Sequence, residues 1–256
     1  MDISKIKILQ NVNIYGNTYL LTLQQSPSIL KAKPGQFVMI FPGQEFNPLL
    51  GRPMSIHRIN NKEKTFSILY HTIGIGTNIL SKLKKNERVK IIGPLGNPIP
   101  FNHASKNFLL IAGGIGIAPL VWLGDTLVAN NKNVTMLIGG RSKNHIFPIK
   151  KLKQEIEVEI FTDDGSLGTK GLATKKINNF LSWTDEIILC GPEPMFVSAH
   201  EIIKQYDGHI PAYALFEKEM ACGIGICYGC AIKDKKNNPQ LVCTKGPSFE
   251  LSNIYL

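Results

Sequence analysis

Phe108-Leu109-Leu110-Ile111-Ala112-Gly113-Gly114-Ile115-Gly116-Ile117-Ala118-Pro119 is the stretch on which the fold turns. Its first five residues are apolar without alternation, as in a strand buried on both faces of a parallel sheet. Three glycines follow within four positions and let a phosphate approach the backbone. A helix then opens, and its free amides stabilise negative charge. Pro119 suits an early helical position, where a missing N–H costs little. Strand, glycine turn and helix in that order predict a nucleotide-binding α/β unit; a glycine-rich loop without those flanks would be only a turn.

Downstream, strand and helix keep alternating. A helical stretch covers Leu120 to Asn130, and Val134–Ile138, Val158–Phe161 and Glu186–Leu189 read as further strands. Alternation of this kind predicts a parallel sheet over residues 101–210. Ligands of open α/β sheets bind beyond the carboxyl ends of the strands. Cys190-Gly191-Pro192-Glu193-Pro194-Met195 ends one such strand and would open onto the same crevice as Gly113, Gly114 and Gly116. Cys190 is either a small buried residue or a contact to the bound ring. Thr162-Asp163-Asp164-Gly165-Ser166 ends another strand. It is either a plain turn or an acidic group that holds a ribose hydroxyl and repels a 2′-phosphate, which favours NADH.

Upstream, residues 1–100 change character. Short apolar runs such as Phe37–Phe41, Phe66–Tyr70 and Val89–Ile92 are punctuated by Lys33-Pro34-Gly35, Asn60-Asn61 and Gly93-Pro94. Many short strands between such turns predict a small antiparallel barrel or sandwich. One helix is expected from Asn78 to Lys84, with Thr77 as its N-cap offering amides to a phosphate. Arg52-Pro53-Met54-Ser55-Ile56 supplies a cation able to pair a pyrophosphate through two hydrogen bonds. His71 by itself reads as an ordinary strand-end histidine, and Gly93–Asn97 as a boundary turn.

Residues 211–256 form a third region too small to hold its shape without a staple. Four of the five cysteines lie there, spaced Cys222-x4-Cys227-x2-Cys230-x12-Cys243. This spacing matches plant-type 2Fe–2S sites. Two bridged irons need four thiolates converging on one small volume, and Gly223, Gly225 and Gly229 allow a loop tight enough to deliver three. Structural zinc, which would make the chain a binding module without redox chemistry, ordinarily takes two C-x2-C pairs; the x4 opening favours iron–sulfur.

The totals bound the remaining classes. The chain has 256 residues, 43% hydrophobic and 19% charged, ordinary for a globular protein. No apolar run is long enough to span a bilayer, and Met1–Lys5 begins no secretion signal, so a cytoplasmic protein is expected. The formal charge of +10 is dispersed along the sequence, which predicts a solvated surface and no nucleic-acid partner. An odd cysteine count without a signal argues against a disulfide framework.

Taken in order, Arg-Pro-x-Ser-Ile, Gly-x-Gly-Thr, Gly-Pro-Leu-Gly-Asn, Gly-Gly-Ile-Gly-x-Ala-Pro-Leu, Cys-Gly-Pro and the four-cysteine tail span nearly the whole chain. This order resembles the ferredoxin–NADP reductase superfamily. The stretch from Phe216 to Cys230 is most similar to the electron-transfer subunits of class 1B dihydroorotate dehydrogenases. The resemblance implies FAD on the barrel, lined by Arg52, Pro53, Met54, Ser55, Leu69, Tyr70, His71, Gly76 and Thr77. Met54 stands where many superfamily members carry an aromatic residue. It implies NAD(H) at Gly113, Gly114, Gly116 and Cys190, and a 2Fe–2S cluster on Cys222, Cys227, Cys230 and Cys243. It also implies an FMN-containing dihydroorotate dehydrogenase catalytic subunit as partner, in a heterotetramer serving pyrimidine biosynthesis. The small subunit of an NAD(P)H:ferredoxin oxidoreductase, or of a sulfide- or hydrogen-linked complex, would carry the same parts. No catalytic acid or base is expected, because the cofactors carry the chemistry.

Overall fold

The order of elements alternates as the sequence suggests. The computed structural model describes residues 2–43 and 47–256. The first region contains β1 (Asp2–Tyr15), β2 (Thr18–Gln24), β3 (Phe37–Phe41), β4 (Arg52–Ser55), β5 (Arg58–Asn60), β6 (Thr65–His71), helix α1 (Ile75–Lys82) and β7 (Arg88–Leu95). They form one antiparallel sheet in the order β4-β3-β7-β1-β2-β6-β5, which curls around its own core. Alternate residues point inward: Ile6 and Ile8, Leu21 and Leu23, Val38 and Ile40, Phe66, Ile68 and Tyr70, Val89 and Ile91 fill that core.

The second region follows with β8 (Asn107–Gly113), α2 (Ile117–Ala129), β9 (Asn133–Gly140), β10 (Ile156–Thr162), β11 (Thr169–Lys170), β12 (Glu186–Cys190), α3 (Glu193–Lys204) and β13 (Ala212–Leu215). The third contributes β14 (Ala231–Lys233), β15 (Pro239–Leu241) and β16 (Ser248–Glu250). The α/β sheet runs β11-β10-β9-β8-β12-β13-β16, parallel except for β16 against β13. Phe108–Ala112 sits at its centre with every side chain buried. The sheet therefore continues past residue 210 through β13 and takes its last strand from the cysteine-rich tail. No helix among the described residues is long and apolar enough to cross a membrane.

Two contacts lock the barrel to α2. The His57 imidazole is buried and its Nδ1–H donates to the Ala118 carbonyl at 2.8 Å. A carbonyl only accepts, so this bond fixes the tautomer. Next to it, Arg58 Nε pairs with Asp125 Oδ2 at 2.5 Å, and its Nη2 donates to the Lys151 carbonyl at 2.8 Å. These bonds orient the barrel against the helix that the glycine loop opens.

Candidate functional site

The glycine loop lies at the carboxyl end of β8, at the head of a crevice of about 810 Å³ between the α/β sheet and the barrel. Gly113 and Gly114 line it; Gly114 has a φ of +55° with open space where a side chain would stand. Gly116 has a different task. A Cβ there would lie 2.0 Å from the Cys190 carbonyl oxygen, so the loop can seat against β12 only without one. Cys190 itself is buried beneath the loop and does not line the crevice. Burial first, and then the Glu217 carboxylate, raise its thiol well above the ordinary range. Of the two readings left open for Cys190, the structure gives the packed one.

The crevice is also lined by residues the sequence reading missed. Gly140 ends β9 and Arg141 and His145 follow it, while Gly16 and Asn17 form the tip of the β1–β2 hairpin and Thr18 opens β2. The first group could have been found by the strand-end rule, since Gly139-Gly140-Arg141 closes a buried strand. The hairpin tip could not, because only domain packing brings it there. The two aspartates after β10 part company. Asp164 Oδ1 accepts from the Ser166 amide at 2.9 Å and the Ser166 hydroxyl at 2.6 Å, which hold its carboxyl below the usual range. Asp163 faces the crevice.

On the barrel side, His71 lines the same crevice; burial and then His145 lower its imidazole below the ordinary range. Arg52 reaches over Gly76 in the first turn of α1. A Cβ on Gly76 would lie 2.1 Å from Arg52 Nε, so the guanidinium occupies the space that glycine leaves. The first amides of a helix have no partner within it. The guanidinium, whose Nη1 donates to the Leu50 carbonyl, thus lies beside those amides, and together they can serve as an anion cradle. Around it Ile73 and Ile75 are 87% and 71% exposed, and Leu49 and Leu50 are also bare. A cationic cradle edged by uncovered apolar side chains fits the pyrophosphate and rings of FAD.

Several barrel residues stand differently from the expectation. The N-cap of α1 is Gly74, and Thr77, at the third helical position, accepts from the Ile73 and Gly74 amides at 3.0 and 3.1 Å. Met54 and Tyr70 point into the barrel core, the Tyr70 hydroxyl donating to Asn11 at 3.0 Å. Leu69 points the other way, into the core shared with the α/β sheet. The side chains of these three are buried and do not line the crevice. Ser55 and Pro53 are half-buried on β4.

The four tail cysteines gather as two pairs. The Cys222 and Cys227 thiols lie within hydrogen-bonding reach of each other, as do those of Cys230 and Cys243. The Ile224 and Cys227 amides each donate to Cys222 Sγ at 3.4 Å, and the Cys243 amide to Cys230 Sγ at 3.4 Å. Gly223 and Gly225, with φ of +70° and +86°, turn those amides inward. Burial opposes ionisation of Cys222, but the amides outweigh it and bring the thiol down to about 6. Burial and then Cys230 push Cys243 up to about 12. Four thiols with amide donors fit a 2Fe–2S cluster, which these cysteines would hold.

Residues 217–255 match the model of the iron–sulfur cluster binding domain of dihydroorotate dehydrogenase B. The dihydroorotate dehydrogenase B (NAD(+)) electron transfer subunit homolog of Aquifex aeolicus is 37% identical over 98% of this chain and 97% of its own. The dihydroorotate dehydrogenase B (NAD(+)) electron transfer subunit of Desulforamulus reducens is 34% identical over 95% of this chain and 94% of its own. Among solved structures, a chain of the NADH-dependent reduced ferredoxin–NADP oxidoreductase superposes with a TM-score of 0.87 at 24% identity, covering 98% of this chain and 90% of that one. That likeness is one of fold. With whole-length identity above a third, the chain belongs to the family of dihydroorotate dehydrogenase B (NAD(+)) electron transfer subunits.

Proposed function

We propose that the chain carries electrons between NAD(H) and an FMN-containing dihydroorotate dehydrogenase catalytic subunit, with which it forms a heterotetramer. Bound FAD would supply hydride exchange with the nicotinamide, and a bound 2Fe–2S cluster would supply single-electron transfer toward the partner. The protein's residues bind and orient. Arg52 and the first amides of α1 hold the flavin pyrophosphate, with Ser55, His71 and Thr77 beside it. Gly113 and Gly114 admit the dinucleotide phosphates, and Asp163 meets the ribose. Cys222, Cys227, Cys230 and Cys243 hold the irons. We also divide the chain functionally at about residues 100 and 210.

One observation carries the reading: three of the four paired thiols lie on a loop that touches the barrel on one side and solvent on the other. A Cβ on Gly223 would lie 2.8 Å from Met39 Cγ on β3. From the same loop Ile226 and Tyr228 project, 75% and 60% exposed. Bare apolar residues beside a redox site mark a docking surface. The test is an anaerobic visible spectrum of the purified chain, with iron and flavin assays, before and after NADH. Flavin bands and a broad iron–sulfur shoulder, both bleached by NADH, are expected. A colourless zinc protein indifferent to NADH would overturn the reading.

A further inference from the structure

The barrel sheet has an outer face as well as a core. On it, three rows cross β3, β7 and β1: Met39–Ile92–Ile3, then Phe41–Lys90–Lys5, then Arg88–Lys7 on β7 and β1 alone. The cluster loop covers the start of the first row, where Gly223 rests on Met39. The other end, Ile3, is 60% exposed. In the two rows beyond it, every residue but Phe41 is a cation. Lys5 stands opposite Lys90 and Lys7 opposite Arg88. Like charges directly opposite in an antiparallel ladder are destabilising. Local relief is small: Lys90 Nζ sits 5.1 Å over the Phe41 ring, and Arg88 Nη1 donates to the Lys5 carbonyl at 3.2 Å. Among the described residues no carboxylate pairs with any of the four.

We infer that this strip receives an acidic face of the catalytic subunit and so orients the cluster loop toward its acceptor; the inference rests on the function proposed above. The charge complementarity that an uncompensated cationic ladder demands names the occupant's chemistry, and continuity with the cluster loop names its position. Complementary charge of this kind steers encounter and fixes register.

The test uses the holo chain and the catalytic subunit of the same enzyme, with affinity measured across ionic strength. Lys5→Glu with Lys90→Glu should weaken binding about tenfold or more at low salt and flatten the salt dependence. Flavin content, iron content and NADH oxidation by ferricyanide should stay unchanged. Lys31→Glu with Lys62→Glu alters net charge equally elsewhere and should shift affinity less than about twofold. Equal affinity and salt slope for the strip variant and wild type would overturn the inference. So would lysine-dependent binding to phosphatidylglycerol vesicles or duplex DNA with subunit affinity unmoved. A wild-type chain that does not bind the subunit at all overturns the functional reading beneath it, a separate result.

Discussion

Acidification should loosen this chain through one imidazole, that of His57. Burial is the main cause that lowers it from 6.5 to about 4; Arg58 and Lys151 add to this, while the bond to Ala118 works the other way. The folded state thus binds the proton less well than the unfolded state, so this site's stabilisation is complete above the unfolded value and declines as pH falls toward 4. At about pH 5 the unfolded imidazole is almost wholly charged and the folded one mostly neutral, which integrates to a loss of about 2 kcal/mol relative to about pH 7.5. The comparison is with His57→Gln, which keeps an N–H donor and cannot titrate. Urea unfolding of both holo proteins, followed by tryptophan fluorescence, reads the interface, because Trp122 on α2 packs against the barrel core. Subtracting the variant cancels the other titrating groups. A wild-type-minus-variant difference that stays flat across that pH range would refute the reasoning.

Gly76→Ala should displace the mobile end of Arg52 without disturbing the fold. The expected result is an unchanged melting temperature of the flavin-free protein with FAD affinity reduced about tenfold, the cost of one charge-assisted contact, read as flavin retained per chain. Asp163→Ser should raise the NADPH:NADH ratio of kcat/KM by about tenfold or more, by removing a carboxylate from the 2′-position. Asp164→Asn, at a carboxylate held by Ser166 and outside the crevice lining, should leave that ratio in place. Cys227→Ser should abolish electron flow to the partner while NADH oxidation by artificial acceptors continues, assayed side by side on one preparation.

The β8 run and its glycine loop were legible because both answer to local physics. A strand with five consecutive apolar residues must be central, and a buried central strand must end at a crevice. Cysteine spacing was legible for the same reason, since three of the four thiols share one loop. What escaped reading depends on direction and distance. Met54, Leu69 and Tyr70 belong to segments that the resemblance places at the flavin, but a motif does not say whether backbone or side chain does the work. Period-two alternation does: Tyr70 shares a face with Ile68 and Phe66, and that face is the core. The cationic ladder is also invisible along the chain, where Lys5 and Lys90 are far apart and the charge reads as dispersed. Only the β1–β7 register sets them side by side.

Electron transfer depends on a fixed separation between carriers, and the fold shows what fixes it. The cysteine-rich tail is too short to bury a core of its own. It is held instead from three directions. β16 pairs with β13 in the α/β sheet, Gly223 packs on Met39 and Leu95, and Asn97 Nδ2 donates to the Thr244 and Lys245 carbonyls, each at 3.0 Å. The first anchor belongs to the nucleotide sheet, and the other two to the barrel or to the Gly-Pro-Leu-Gly-Asn segment that ends it. Those two units are themselves joined through His57 and Arg58. The crevice, the Arg52–α1 cradle and the thiol loop are therefore parts of one closed set of contacts. A substitution at the barrel–α2 contact, which involves none of the tail cysteines, should then alter transfer to the cluster as well as stability, because no flexible linker stands between them to absorb the shift.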